Sequence, residues 1–366
     1  MGYFITAHGF GHAARAAAVM QALQARLPNV HFDLFTQVPE WFFRESLSAG
    51  FTYHNFASDV GLVQASPFSE DLPATVAMLK HAKTNAHSQI SIAAKILAER
   101  HCLLVVCDIA PVGIQAAHAA GLPVVLVENF TWDFIYARYA DLEPGFIPFV
   151  KDFEQVFSQA DLHIQTMPAV QPNSAAQQVP PVARRPVHLR ADTRERLGIA
   201  NDEPVILVTV GGIEEKFSSL AALKKYSHCR FVLPGTSNQL LREDNLTLLP
   251  HRSNYYHPDL VQASDAVIAK LGYSTLAEVY QAGLPFAYIP REKFPETPPL
   301  AEFARRAMGA HELTRLDFSS GNWGDLPYRL LQTPKIHRDG INGADEIANL
   351  LLERYSKPVT QSVRNG

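Results

Sequence analysis

The stretch 266–290, A-V-I-A-K-L-G-Y-S-T-L-A-E-V-Y-Q-A-G-L-P-F-A-Y-I-P, decides the fold. It reads as strand, tight turn, helix, tight turn, strand. Residues 266–269 are short and apolar, as a strand covered on both faces requires. Gly272 permits the turn, and Ser274 or Thr275 stands where a helix cap belongs. Leu276, Val279 and Tyr280 share one face at helical spacing. Gly283 followed by Pro285 is a helix stop, and 286–289 is the next strand. A turn of small and hydroxyl residues at a helix N-terminus is an anion site, because free backbone N–H groups point out of it. Glu278 lies one turn further in, where a carboxylate can accept from the two hydroxyls of a ribose. The same spacing, Thr275-x-x-Glu278, is also a capping box, with Glu278 bonded back to the Thr275 amide. The spacing leaves both readings open.

The N-terminus repeats the pattern. An apolar strand over 2–7 runs into the loop His8-Gly9-Phe10-Gly11-His12, and an Ala-rich helix follows with Val19, Leu23 and Leu27 on one face. A second strand is expected over 30–35. This is a Rossmann-like opening, and its first loop lies at the carboxyl edge of the sheet, where ligands bind. Gly9 and Gly11 are only part of a dinucleotide fingerprint, since Ala14 takes the third glycine position and no acid ends the second strand. On its own this loop leaves His12 to cap the helix or pack beneath the sheet. A metal reading of His8 and His12 lacks a third ligand nearby.

Residues 39–50 read as a short helix carrying Trp41, Phe42 and Phe43. Three adjacent aromatics cannot all face one core, so one is expected to line a cleft or touch an apolar partner. The irregular stretch 59–73 is too long for a simple connection and reads as a functional loop. Strands at 103–107 and 124–127 alternate with helices at 74–99 and 111–120. That alternation predicts a parallel sheet and brings Asp108, Glu128, Asn129 and Asp133 to the edge that carries His12. Asp133 and Thr131 equally fit a helix cap. Pro168, Pro172, Pro180, Pro181 and Pro186 mark 166–190 as a linker. A second Rossmann-like unit opens at 204–210, with Gly211 and Gly212 ending its first strand, where a ligand can approach the backbone. Strands follow at 230–233 and 246–249. Arg252 and Ser253 come at the edge, and the loop 291–296 follows the central stretch. The amphipathic segment 344–355 is read as a last helix, and the final eleven residues as disordered.

The motifs K-x-G-Y-S-T-x-x-E (270–278), A-G-x-P (282–285) and Y-I-P-R (288–291) resemble the donor-nucleotide site of GT-B glycosyltransferases. The closest type is the family of the peptidoglycan N-acetylglucosaminyltransferase. The resemblance implies two Rossmann-like domains facing across a cleft: 1–165 for the acceptor and 191–340 for the nucleotide sugar. It also implies that 341–366 holds a helix returning to the first domain, and a tail. It gives the donor diphosphate to the turn of Gly272, Tyr273, Ser274 and Thr275, with Gly211 and Gly212 beside it. Glu278 takes the ribose, Arg252 and Ser253 the base, and Arg291 and Glu296 the sugar. Thr297 stands where that family commonly has Gln. Lys270 or Arg291 would support the leaving group. His12 becomes the candidate base, oriented by Asp108 or Asp133, with His8, Gly9, Gly11 and Asn129 on the acceptor side. Residues 108–139 also resemble the glycosyltransferase-like N-terminal part of L-arabinokinases. The chain has no Gly-rich phosphate loop of the kinase pattern, so kinase activity is not expected.

The whole chain agrees with this frame. Its 366 residues are 47% hydrophobic and 19% charged, comfortable for two domains. A net charge of −4 gives nucleic acid no support. Cys102, Cys107 and Cys229 are an odd count without metal-like spacing, as in a reducing compartment. With no leader or membrane span evident, a cytoplasmic location is expected, with at most peripheral membrane contact. No Asp-x-Asp occurs, so neither metal nor cofactor is expected. The function read here is metal-independent transfer of a sugar from a nucleotide-diphosphate donor, UDP-linked for preference, to an unidentified hydroxyl acceptor. A nucleotide-sugar 2-epimerase and a non-catalytic nucleotide-sugar binder are the alternatives.

Overall fold

The computed structural model of the chain describes residues 1–48, 50–66, 69–210, 220–291 and 293–355. Strands β1 (Gly2–Ile5), β2 (Phe32–Thr36) and β3 (Phe51–Asn55) open the chain. A small antiparallel ribbon follows, β4 (Gln64–Ser66) with β5 (Ser69–Glu70). Then come β6 (Val105–Asp108), β7 (Val124–Glu128), β8 (Leu162–Thr166) and β9 (Gln177–Val179). The first sheet runs in the order β3-β2-β1-β6-β7-β8-β9, parallel throughout. Its central strands are apolar on both faces because helices cover both; β1, β6 and β7 have no exposed residue. The helix Phe10–Arg26 lies against it through buried alanines, whose small side chains let the helix approach closely.

The second sheet is built from β10 (Val205–Thr209), β11 (Arg230–Ser237), β12 (Leu241–Glu243), β13 (Leu246–Pro250), β14 (Ala266–Lys270), β15 (Phe286–Ile289) and β16 (His311–Glu312). Its order is β12-β13-β11-β10-β14-β15-β16, and only β12 runs antiparallel to its neighbour. The stretch 266–290 folds as read, strand–helix–strand, with the helix at Tyr273–Ala282. Its cap differs from the expectation. The N-cap is Gly272, and neither Ser274 nor Thr275 bonds back to the first turn.

Two segments join the halves. The proline-marked stretch 166–190 is docked on the first half: β9 lies within it and extends the first sheet, and Val182 and Ala183 are buried. Proline there stiffens a docked segment. The second crossing ends in the helix Gly343–Tyr355, which packs Ala344, Ile347 and Leu351 into the core that holds Val19 and Leu23. Arg26 donates to Asp345 (3.0 Å) and Asn349 (2.8 Å) at that contact. Burying one such branched side chain contributes about 1.5–3 kcal/mol. Among the described residues no helix is long and apolar enough to cross a membrane.

Gly343 sits where the two crossings touch: a Cβ there would lie 2.0 Å from the Pro180 carbonyl oxygen. Gly340 has open space around its Cβ position. Gly343→Ala should therefore destabilise the fold by at least about 1–3 kcal/mol, the usual cost of overpacking. Gly340→Ala serves as the neutral control in the same thermal melts, and equal midpoints for both would contradict the packing described.

Candidate functional site

The strand order of each sheet reverses beside its first strand, at β1/β6 and at β10/β14. Loops leaving such a point open a crevice at the carboxyl edge. From β1 the chain passes through His8 to Gly9, whose φ of 72° suits glycine, and enters the helix Phe10–Arg26 at once. From β14 it passes through Gly272 into the helix Tyr273–Ala282. Both helices start at a glycine N-cap with no side-chain cap bond. The two starts face each other: a Cβ on Gly11 would lie 3.8 Å from Ser274 Oγ. One cleft runs between them. His8, Gly9, Gly11, His12 and Asn129 line it from the first half, and Ser253, Lys270, Gly272–Thr275, Arg291 and Glu296 from the second. Trp41 and Phe42 line it too, whereas Phe43 is fully buried, so the aromatic trio divides between cleft and core.

His12 is in the first turn of its helix, and Asp108 ends the neighbouring strand β6. Their contact, Nδ1 to Oδ1, is 2.8 Å. Arg15, one turn after His12, grips the same carboxylate twice, Nε to Oδ2 and Nη2 to Oδ1, each at 2.7 Å. Burial alone would push the Asp108 carboxyl up; the guanidinium outweighs it and holds the group below the usual range. An ionised Asp108 only accepts, so the His12 Nδ1 carries the proton and Nε2 keeps its lone pair. Arg15 Nη2 also lies 3.2 Å from Nδ1. The shorter contact and the charge of Asp108 favour the tautomer given. Arg15 Nη1 donates to Asn129 Oδ1 at 2.5 Å, and Asn129 Nδ2 donates to Glu296 Oε1 at 2.7 Å. A continuous polar chain thus leads from His12 to the opposite half.

Asp133 does not orient His12. It lies in the first turn of the helix Trp132–Tyr139 and faces a separate depression with Glu128 and His163. The turn after β7 sends Asn129 into the cleft and Asp133 away from it. Glu278 caps nothing. It is buried, with Oε1 held by Arg184 Nε at 2.8 Å and Oε2 by His257 Nδ1 at 2.7 Å. Burial would raise its pKa, but Arg184 and then His257 bring it below the ordinary range. Tyr273 has its ring under Arg15, 5.1 Å from the guanidinium, and its hydroxyl is engaged with Val182 N and Met167 O. Arg252 lies over the Trp41 ring at 5.7 Å, beside Ser253. Arg291 reaches across to Glu70 at 2.7 Å, which ties the 59–73 loop to the second half. His8 takes the Leu62 amide on Nδ1 at 3.4 Å. Burial, then Arg291 and His12, push its pKa down to about 3, so it stays neutral. Gly211 and Gly212 lie outside the described residues. Among the described residues no group of three His, Cys, Asp or Glu is arranged to hold a metal ion.

Several groups escaped the sequence reading. Arg15 had a signal, as the sole charged residue between His12 and Arg26 in an alanine-rich helix. Arg184 was hidden in the presumed linker; its guanidinium sits between the Phe42 and Tyr256 rings, at 4.9 and 5.0 Å. Asp59 accepts from Trp132 Nε1 at 2.7 Å. Burial raises its pKa to about 6, against hydrogen bonds from Thr6 and Trp132.

No family model matches the chain. An L-arabinokinase from Arabidopsis thaliana is 30% identical over 360 residues, 96% of this chain and 34% of that protein. The chain thus spans about a third of the relative's length, and the likeness runs well beyond 108–139. A UDP-glucosyltransferase from Polygonum tinctorium capable of glucosylating indoxyl aligns with a TM-score of 0.60 at 14% identity, over 97% of this chain and 98% of that one. MurG of Acinetobacter baumannii aligns with a TM-score of 0.53 at 16% identity, over 96% and 99%. The chain has the GT-B fold. This is the architecture that the motifs at 270–291 implied.

Glu278 is half of a buried ion pair, so Glu278→Gln should cost stability, on the order of 3 kcal/mol, because it leaves Arg184 uncompensated. The sign with pH follows from its lowered pKa. The unfolded chain binds this proton more readily, so the pair's stabilisation is present above the ordinary carboxylate range, about 4.3, and is lost as pH falls through the folded value. Urea midpoints taken between pH 7 and pH 3 should show a smaller acid loss for Glu278→Gln than for the native chain. Parallel curves would remove the pair from the account of stability.

Proposed function

We propose that the chain moves a sugar from a nucleoside-diphosphate donor, UDP-linked for preference, to a hydroxyl acceptor, without a bound metal ion. The observation that carries this reading is the His12–Asp108 pair facing an uncapped helix N-terminus across the cleft. The second half holds the donor. Its diphosphate lies against the free N–H groups at Gly272 to Thr275, with Lys270 beside them. Ser253 takes the nucleobase side, and the Arg184–Glu278–His257 cluster sits where the ribose hydroxyls arrive. The first half holds the acceptor, near the 59–73 loop.

His12 Nε2 takes the acceptor hydroxyl proton as that oxygen bonds to the anomeric carbon. The bond from that carbon to the diphosphate oxygen breaks, and its electron pair leaves with the nucleoside diphosphate. Asp108 stabilises the imidazolium that forms, and the helix dipole the negative charge that leaves. The named relatives support the reading: one is a UDP-glucosyltransferase, and it shares this fold over almost its whole length.

His12→Ala should lower turnover by about a hundredfold or more, the usual worth of a general base, with nucleotide affinity unchanged. Calorimetry with UDP, GDP and dTDP, and nucleotide release in the presence of EDTA, complete the test. Silence from all three nucleotides would defeat the proposal. Loss of turnover in EDTA with recovery in manganese would defeat its metal-independent part.

A further inference from the structure

Asn129 and Glu296 meet across the cleft. Asn129 follows β7 in the first half and is 1% exposed; Glu296 precedes the helix Thr297–Met308 in the second half and is 8% exposed. The Asn129 amide is fixed from both ends. Its Oδ1 faces Arg15, which can only donate, and its Nδ2 faces a carboxylate, which can only accept. A flipped amide would lose both bonds. Arg15 cannot follow another partner without releasing Asp108, which it holds through two nitrogens. Asp108 in turn holds His12 Nδ1. Each link leaves its neighbour one orientation.

We propose that Asn129 is a positioning residue that ties the His12–Asp108 pair to Glu296, so that seating the imidazole and drawing the two halves together are one event. Separating the halves takes Glu296 from the amide. The amide then keeps only its Arg15 bond and can turn, which leaves Arg15 Nη1 the longer contact to Thr166 Oγ1 at 3.4 Å and loosens the grip on Asp108 and His12. Glu296 also lines the cleft, so a ligand there that engages this carboxylate acts on the same chain. The meaning of this coupling for turnover rests on the proposed glycosyl transfer. The coupling itself does not.

The test uses the full chain with 15N-labelled histidine, the His12 signals being assigned by His12→Gln. Spin labels at Leu103→Cys and Leu316→Cys, sites 82% and 77% exposed on opposite halves, report the separation. Glu296→Ala touches neither His12, Arg15 nor Asp108. It should nonetheless shift the His12 Nδ1 signal from the protonated position toward the tautomer average, and lengthen the label separation. Asn129→Leu should do the same, and the double variant should add nothing further, as expected for two members of one chain. Glu296→Gln keeps an acceptor oxygen and should behave as the native protein. Unchanged His12 signals in folded Glu296→Ala, or independent addition of the two changes, would overturn the proposal. If the native chain binds no nucleoside diphosphate while Glu296→Ala still moves His12, the functional reading fails and the coupling stands.

Discussion

The two bonds from Arg15 to Asp108, each 2.7 Å and fully out of water, constrain the rest of the site. A buried pair of this kind is a poor source of net stability, because desolvation offsets most of the attraction. Its value here is directional. A carboxylate gripped on both oxygens cannot rotate, so the hydrogen bond it accepts from His12 runs along one line. The pair also sets charge. Arg15 neutralises Asp108 before His12 takes a proton, so the site passes from neutral to singly positive during the proposed reaction, not from negative to neutral.

Much of the frame was legible because local pattern and global fold agree. Short apolar strands such as 103–107 and 266–269, each followed by a helix, allow little but a parallel sheet, and a parallel sheet delivers its loop residues to one edge. His12 and Asp108 could be placed together on that basis. Asp108 and Asp133 could not be ranked, because the deciding fact is the direction of the turn after β7, which spacing does not encode. Glu278 shows the same limit from the other side. The capping reading of Thr275-x-x-Glu278 was local, whereas the side chains that hold the carboxylate, Arg184 and His257, are 94 and 21 residues away. What the proline-rich segment packs against was not legible for a related reason. Proline is equally at home in a loose tether and in an extended segment docked on a sheet edge, and only burial tells the two apart.

The crossings explain how a cleft lined from both halves keeps its register. Asn342, buried in the second crossing, accepts from Ala183 N at 3.2 Å and donates to Ala183 O at 2.8 Å, and so clamps it to the first. Asp345 takes Arg26 and Arg185 together, one from the first helix and one from the first crossing. Two chain crossings fastened side by side make a narrow joint. Such a joint permits rotation about its own line and resists sliding, since sliding would break the Asn342 bonds in a buried setting where no water replaces them. The contacts far from it are of a different kind. Asn129–Glu296 and Arg291–Glu70 join buried polar side chains of the two halves across the cleft. The joint is thus held through backbone bonds and ion pairs together, and the cleft through side-chain contacts such as these. His12 lies on the cleft side, joined through Asp108, Arg15 and Asn129 to Glu296 of the second half.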